Sequence, residues 1–225
     1  MRKLFAWLIL IPLAGCGDSF EKTPTDQLIV DMANEPVFAI ILHDMDVEGT
    51  FFKEYKHQYR IVTERNEVPE ERTTEWMRVP ERFFNQHVND LGMEIVTKNR
   101  DGKISKVAAP PGYSNYVGNS RYGEWRSHNG SSFWAFYGQY AFMSSMFHMM
   151  SRPVYRREYD TYHGSGYYGN RPYYGKAKDG SAKYGTNSSY ARKSRPNFFA
   201  RKQSRTGRSG RGSGRFRSRG GGFGK

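Results

Sequence analysis

The stretch "VFAIILHDMDVEGTFFKEYKHQYRIVT", residues 37–63, decides the fold of this 225-residue chain. Val37 to Met45 form an apolar run rich in β-branched residues, which suits a buried strand. Beyond it the pattern changes. Tyr55, His57, Tyr59, Ile61 and Thr63 alternate with charged or polar residues, the period of a half-buried strand. Between the two, "DMDVEGTFFKEY" begins like a calcium loop, with Asp44, Asp46, Glu48 and Gly49 at the first, third, fifth and sixth positions. Such a loop needs a bidentate glutamate at its twelfth position, where Tyr55 stands, and its flanks should be helices. The stretch therefore reads as a β-hairpin turning around Val47-Glu48-Gly49-Thr50. No metal or cofactor is expected from it.

Working outward, residues 25–34 predict a short helix with Thr25 or Asp26 as its cap. Pro80 opens a second helix, in which Phe83, Phe84, His87, Val88 and Leu91 share a face and Gly92 is the stop. Asn99-Arg100-Asp101-Gly102 lies between two short strand-like runs, and its Asp-Gly is a strong hairpin signal. Residues 25–109 thus predict a small α+β domain that folds alone, an antiparallel sheet with a helix over one face.

Pro110 and Pro111 end that unit, and residues 110–130 have the Gly, Ser, Asn and Tyr content of a linker. Residues 131–151, "SSFWAFYGQYAFMSSMFHMMS", hold no Lys, Arg, Asp or Glu and predict an aromatic- and Met-rich helix. At 21 residues it would just reach across a bilayer, yet it has no Leu, Ile or Val. Three placements compete: in the membrane interface or against a partner, across the bilayer, or in the core of the preceding domain. From 152 to 225 the chain turns first Tyr–Gly-rich and then Arg–Gly–Ser-rich. Its low aliphatic content predicts disorder, with ready removal by trypsin.

Charge divides along the same line. Residues 151–225 carry 19 Lys or Arg against 3 acids, whereas residues 16–150 carry 14 against 19. A basic tail on an acidic body is expected. Arg201, Lys202, Arg205, Arg208, Arg211, Arg215, Arg217 and Arg219 are its polyanion-binding candidates. Phe216 and Phe223 among them could stack on single-stranded nucleic acid. Acidic headgroups would serve equally, at roughly 1 kcal/mol per basic residue.

The first residues favour an envelope polyanion as what the tail would meet. Arg2 and Lys3 precede an apolar run, Leu4 to Leu13, of the length a secretory signal needs. Leu13-Ala14-Gly15-Cys16 then resembles the lipobox of bacterial lipoproteins. That resemblance implies removal of residues 1–15, acylation of Cys16, and a tether over residues 16–24. Cys16 is the single cysteine, so its acylation leaves no thiol to form a disulfide. One myristoyl-length chain binds a membrane with a constant of only about 10⁴ M⁻¹, so stable anchoring takes two or more. In the family's sorting scheme an aspartate directly after the cysteine retains the protein in the inner membrane. Gly17 stands there and Asp18 follows, which points to the outer membrane.

The C-terminal part is similar to a group of uncharacterised enterobacterial-type lipoproteins. The resemblance lies in Ser132-Phe133-Trp134, Met143 to Met150, Tyr174-Gly175, Tyr184-Gly185 and the terminal Gly220-Gly221-Gly222-Phe223-Gly224. It implies an envelope lipoprotein without a known activity.

Nothing predicts an enzyme. No serine lies in a G-x-S-x-G elbow, the six histidines lack paired ligand spacing, and the Gly-rich runs open no helix after a strand. The expected function is a periplasm-facing envelope adaptor or scaffold. Its membrane partner is reached through Cys16. Its basic tail would hold anionic envelope lipid or polymer, or an acidic protein. The alternatives are a nucleic-acid-binding module or a single-span inner-membrane protein with a cytoplasmic tail.

Overall fold

Alternation along one strand sets the architecture. Strand β1 (Phe38–Glu48) pairs antiparallel with β2 (Glu54–Arg65) on one side and β5 (Glu94–Lys98) on the other. Phe38 to Leu42 are each 0% exposed, so both faces of the sheet are covered. The computed structural model describes residues 22–49 and 51–209. Within them the sheet order is β3-β2-β1-β5-β6, with β3 at Val68–Thr73 and β6 at Ile104–Ser105. The two-residue β4 (Met77–Arg78) also pairs with β2.

Phe38, Ile40 and Leu42 point to one side, where Leu28 of helix α1 (Pro24–Asp31), Phe84 of α2 (Glu81–Gln86) and Phe198 of α6 (Pro196–Ser209) pack on them. Val37, Ala39 and Ile41 point to the other and meet Tyr113, Tyr116, Trp134 and Tyr184. The fold is α+β, with a central sheet between a helical layer and an aromatic layer. At His43 the β1–β2 register slips between Leu42 and Asp44, a β-bulge. The slip lets Met45 rejoin the side of Phe38 and Ile40.

Local signals hold in places and shift in others. The cap of α1 is Thr23, whose hydroxyl accepts the Asp26 amide while the Asp26 carboxylate accepts the Thr23 amide, with Pro24 in the first turn. That reciprocal box is why the helix starts before Thr25. Helix α2 ends at Gln86, short of Gly92, because a distant segment takes its next groups. The Thr186 hydroxyl donates to the Val88 carbonyl at 2.8 Å, and the Thr186 amide donates to Asn89 O at 2.9 Å. The Asn99–Gly102 hairpin joins β5 to β6 with Gly102 at φ +77°, and Asp44 to Glu48 lie in strand, not in a calcium loop.

Residues 110–130 are no linker. Tyr113, Tyr116, Val117 and Tyr122 are buried on the sheet, and β7 (Gly123–His128) follows. Residues 131–151 are no single helix either. They form β8 (Ser131–Phe136), paired with β7, then a 3₁₀ turn (Gly138–Tyr140) and the short helix α3 (Phe142–Met146). Alternation inside "SSFWAF" puts Trp134 and Phe136 inward, a strand period that the lack of charge had masked.

The expected disorder from 152 is overturned as far as 209. Helices α4 (Arg156–Gly164), α5 (Ser189–Ser194) and α6 follow one another, and Tyr162, Tyr173 and Tyr184 are buried. Aromatic rings supply the buried area that aliphatic side chains do not, on the order of 150–250 Å² each. Gly185 shows why glycine accompanies them. It sits at φ +78°, and a Cβ there would lie 2.5 Å from the Asn89 carbonyl oxygen. Residues 1–21, which include the expected signal segment and Cys16, lie outside the described residues, as do residue 50 and residues 210–225.

Two tests follow from this layering. A chain ended after Ala109 exposes Ala39, Ile41 and Val62, so it should aggregate or bind a hydrophobic dye. Recovery of a protease-resistant monomer would contradict the shared core. Trp134→Ala in the full chain should cost about 3–5 kcal/mol in a denaturant melt.

Glu94 gives a further test. It is 0% exposed, and its Oε1 accepts the Gly112 amide at 2.7 Å. Burial outweighs the hydrogen bonds from Ser114 and Gly112 and pushes the carboxyl from its ordinary 4.5 up to about 7. The folded chain therefore holds a proton that the unfolded chain has lost. The stability this represents is complete below about pH 4.5 and is lost as pH rises through 7, about 3 kcal/mol in all. Relative to Glu94→Gln, the wild-type chain should lose denaturant resistance between pH 5 and pH 8. Parallel pH profiles would refute the buried carboxyl.

Candidate binding surfaces

Two surfaces stand out, at opposite extremes of polarity. The first is the tip between β1 and β2. Gly49 turns the chain at φ +84°, and Phe51 and Phe52 are each 94% exposed. Water-facing phenylalanine pairs are costly and mark contact with something apolar. Phe52 and Lys53 share an open groove with Lys22, Thr23 and Pro24, where the described chain begins. The tip therefore lies beside Lys22, the first described residue.

The second surface is a cleft between the sheet and the C-terminal layer. Arg60 reaches it from β2, Arg152 from the stretch before α4, and Arg195 from the end of α5. The Arg60 side chain is 10% exposed. Its Nη1 lies 3.6 Å from Glu71, and its buried Nε has no hydrogen-bond partner. The Arg152 guanidinium lies 3.8 Å from the ring centre of Tyr190, donates to the Lys183 carbonyl at 3.4 Å, and leaves its own Nε unpaired. Arg195 sets its guanidinium against the imidazole of His43, with nitrogen separations of 3.0 and 3.3 Å.

His148 completes the wall, its backbone held at φ +56°, a region that residues other than glycine seldom enter. Burial, followed by the surrounding arginines, pushes both His43 and His148 down from 6.5 to about 4. Both rings are neutral at pH 7, so the arginines hold the charge. The enclosed space is about 20 Å³, roughly one water-sized group.

The basic residues singled out from sequence fare differently. Arg201 turns inward: its Nη2 donates to Asp44 at 3.0 and 3.1 Å, and its Nε lies 3.3 Å from Asp46. The two aspartates of the calcium-like motif thus hold an arginine. Lys202 is exposed, Arg205 and Arg208 lie along α6, and Arg211, Arg215, Arg217 and Arg219 fall outside the described residues, as Cys16 does. Sequence reasoning missed Arg60, Arg152, Arg195, His43 and His148, which come together from positions far apart in the chain. The one local signal was Arg60, a charge beside Ile61 and Val62 in a strand.

His57 and His87 are buried and hydrogen-bonded, to the Tyr59 hydroxyl at 3.1 Å and to Asp90 at 2.8 Å. Among the described residues no cluster of three His, Cys, Asp or Glu could hold a metal ion, and no helix is long and apolar enough to cross a membrane. No protein-family model, curated protein or solved structure matches the chain.

Phe198 pins α6 on the sheet, so Phe198→Ser should loosen that helix and the grip of Arg201 together. Trypsin should then cut after Arg201 and Lys202 at least tenfold faster than in the wild-type chain, read by mass spectrometry. Equal cutting rates would mean that α6 does not depend on this contact.

Proposed function

We propose that this chain is a bacterial envelope lipoprotein, anchored through lipid on Cys16 and facing the periplasm, that acts as a non-enzymatic adaptor. Its basic C-terminal end, from Arg205 through Arg219, holds anionic envelope lipid or polymer, or an acidic partner protein. Gly17 beside Cys16 favours the outer membrane as its site. The carrying observation is the position of the Phe51–Phe52 tip, 94% exposed and beside Lys22. Lys22 is six positions beyond Cys16, a reach of about 20 Å at most. A lipid on Cys16 would therefore hold this tip close to the bilayer, with Lys22 and Lys53 near the headgroups.

Growth with a clickable fatty acid tests the anchor: the wild-type chain should take the label, and Cys16→Ser should abolish it and leave the precursor uncut. Phe51→Ser with Phe52→Ser should keep the label yet raise the fraction released by mild detergent several-fold. A wild-type chain without label would end the lipoprotein reading. In that event the Arg–Gly end would favour binding to nucleic acid.

A further inference from the structure

We propose that the Arg60–Arg152–Arg195 cleft is a binding site for a phosphate monoester or free phosphate dianion. This goes beyond anchoring and fails or stands separately from it, because it rests on the cleft alone. Three observations converge. First, three guanidinium groups gather with little compensation. Glu71, 3.6 Å from Arg60, is one carboxylate at the margin, and Asp44, facing His43 and Arg195, is already bound by Arg201. Three guanidinium charges against the single carboxylate at the margin leave the cleft net positive, which suits an anion.

Second, the unmet hydrogen-bonding capacity points the same way. The Nε atoms of Arg60 and Arg152 are both buried and without partners, and an unpaired buried donor is costly until an acceptor arrives. Guanidinium forks suit the spread oxygens of phosphate better than a point charge does. Third, the space is selective. About 20 Å³ admits the leading oxygen of an oxyanion but no ring, so a nucleobase or sugar stays outside. A phosphate at the end of a larger molecule fits by entering oxygen-first. The neutral imidazole of His148 lines the cleft and has a ring N–H to offer, while His43 backs Arg195 from behind.

The purified full-length chain, in detergent at pH 7.5, would be titrated with sodium phosphate and, separately, with sodium chloride at matched ionic strength. A phosphate monoester is mostly dianionic at that pH, its second pKa being about 6. The readout is the imidazole resonances of His43 and His148, with exposed His128 of β7 as an internal control. Phosphate should move the first two saturably and leave His128 in place, whereas chloride should move none. Arg152→Gln should weaken the response at least tenfold, and Arg192→Gln, on the exposed side of α5, should not.

Unmoved histidines, or equal shifts with chloride, would overturn the proposal. Because the wild-type titration decides this, a variant that fails to fold does not blunt the test. Vesicles containing a monoester lipid, phosphatidic acid, would then be compared with vesicles of the diester phosphatidylglycerol. Displacement of free phosphate by the former alone assigns a lipid headgroup. Displacement by neither assigns the soluble ion, and equal displacement by both overturns the monoester class.

Discussion

A strand with no exposed side cannot be finished by the residues beside it. Phe38, Ala39, Ile40, Ile41 and Leu42 are all fully buried, and α1 and α2 cover only one of the two faces they present. The other face needs a second layer, and the chain supplies it from residues 113–184. At roughly 25 cal/mol per Å² of apolar surface, leaving Ala39, Ile41 and Val62 in water would cost several kcal/mol, comparable with the whole stability of a small domain. Much else depends on this requirement: the fixed course of the Tyr–Gly segment, the Thr186 latch that ends α2, and the cleft formed where the layer closes over Arg60.

The covering layer is built of tyrosine, which carries a polar group into the core; most of these hydroxyls find partners there, though that of Tyr116 has none. The hydroxyls of Tyr113 and Tyr184 meet at 3.0 Å, Tyr174 donates to Asp90 at 2.7 Å, and Tyr122 donates to Glu64. Ring edges face ring planes at Tyr113–Tyr162 and Tyr162–Tyr168, the geometry that aromatic quadrupoles favour. Such a layer is hydrogen-bonded as well as apolar, which a composition count cannot register. Glycine fits the same scheme at Gly118, with φ +78°. Its missing Cβ would otherwise lie 2.4 Å from the hydroxyl of Tyr159.

This explains which parts of the structure could be read from the sequence. The runs at 37–45 and 55–63 have strand periods that no neighbour overrides, and the Asp-Gly hairpin is a local backbone property. The polar side of β2 was harder. Arg60 and Glu64 flank Val62 in a pattern that suggests solvent, yet they are 8% and 5% exposed, because Glu64 is met by Arg100 and Tyr122 and the C-terminal layer lies over them. The composition of residues 152–209 suggests disorder for the same reason: their order comes from contacts with the sheet and not from their own propensity. The cleft joins His43, Arg60, His148, Arg152 and Arg195, and no spacing rule links such positions. Cys16 and the arginines beyond 209 lie outside the described residues, and their reading rests on the chain's own pattern.

The charge asymmetry along the sequence acquires a spatial meaning here. An acidic first part and a basic last part attract, and the pairs Arg201–Asp44 and Lys98 with the carbonyls of Ala33 and Glu35 show basic side chains used as internal fasteners. Within the C-terminal layer Lys183 meets Glu158 at 2.6 Å. Once these are matched, Arg60, Arg152 and Arg195 remain with one marginal carboxylate, and they do so beside the bulge at His43. That bulge is a requirement of the core, since it returns Met45 to the buried face. The extra residue it leaves out of register is the imidazole that Arg195 rests on. The cleft is thus tied to the register of the central strand, and the segment that brings Arg152 and Arg195 to it is the one the buried sheet demands as cover.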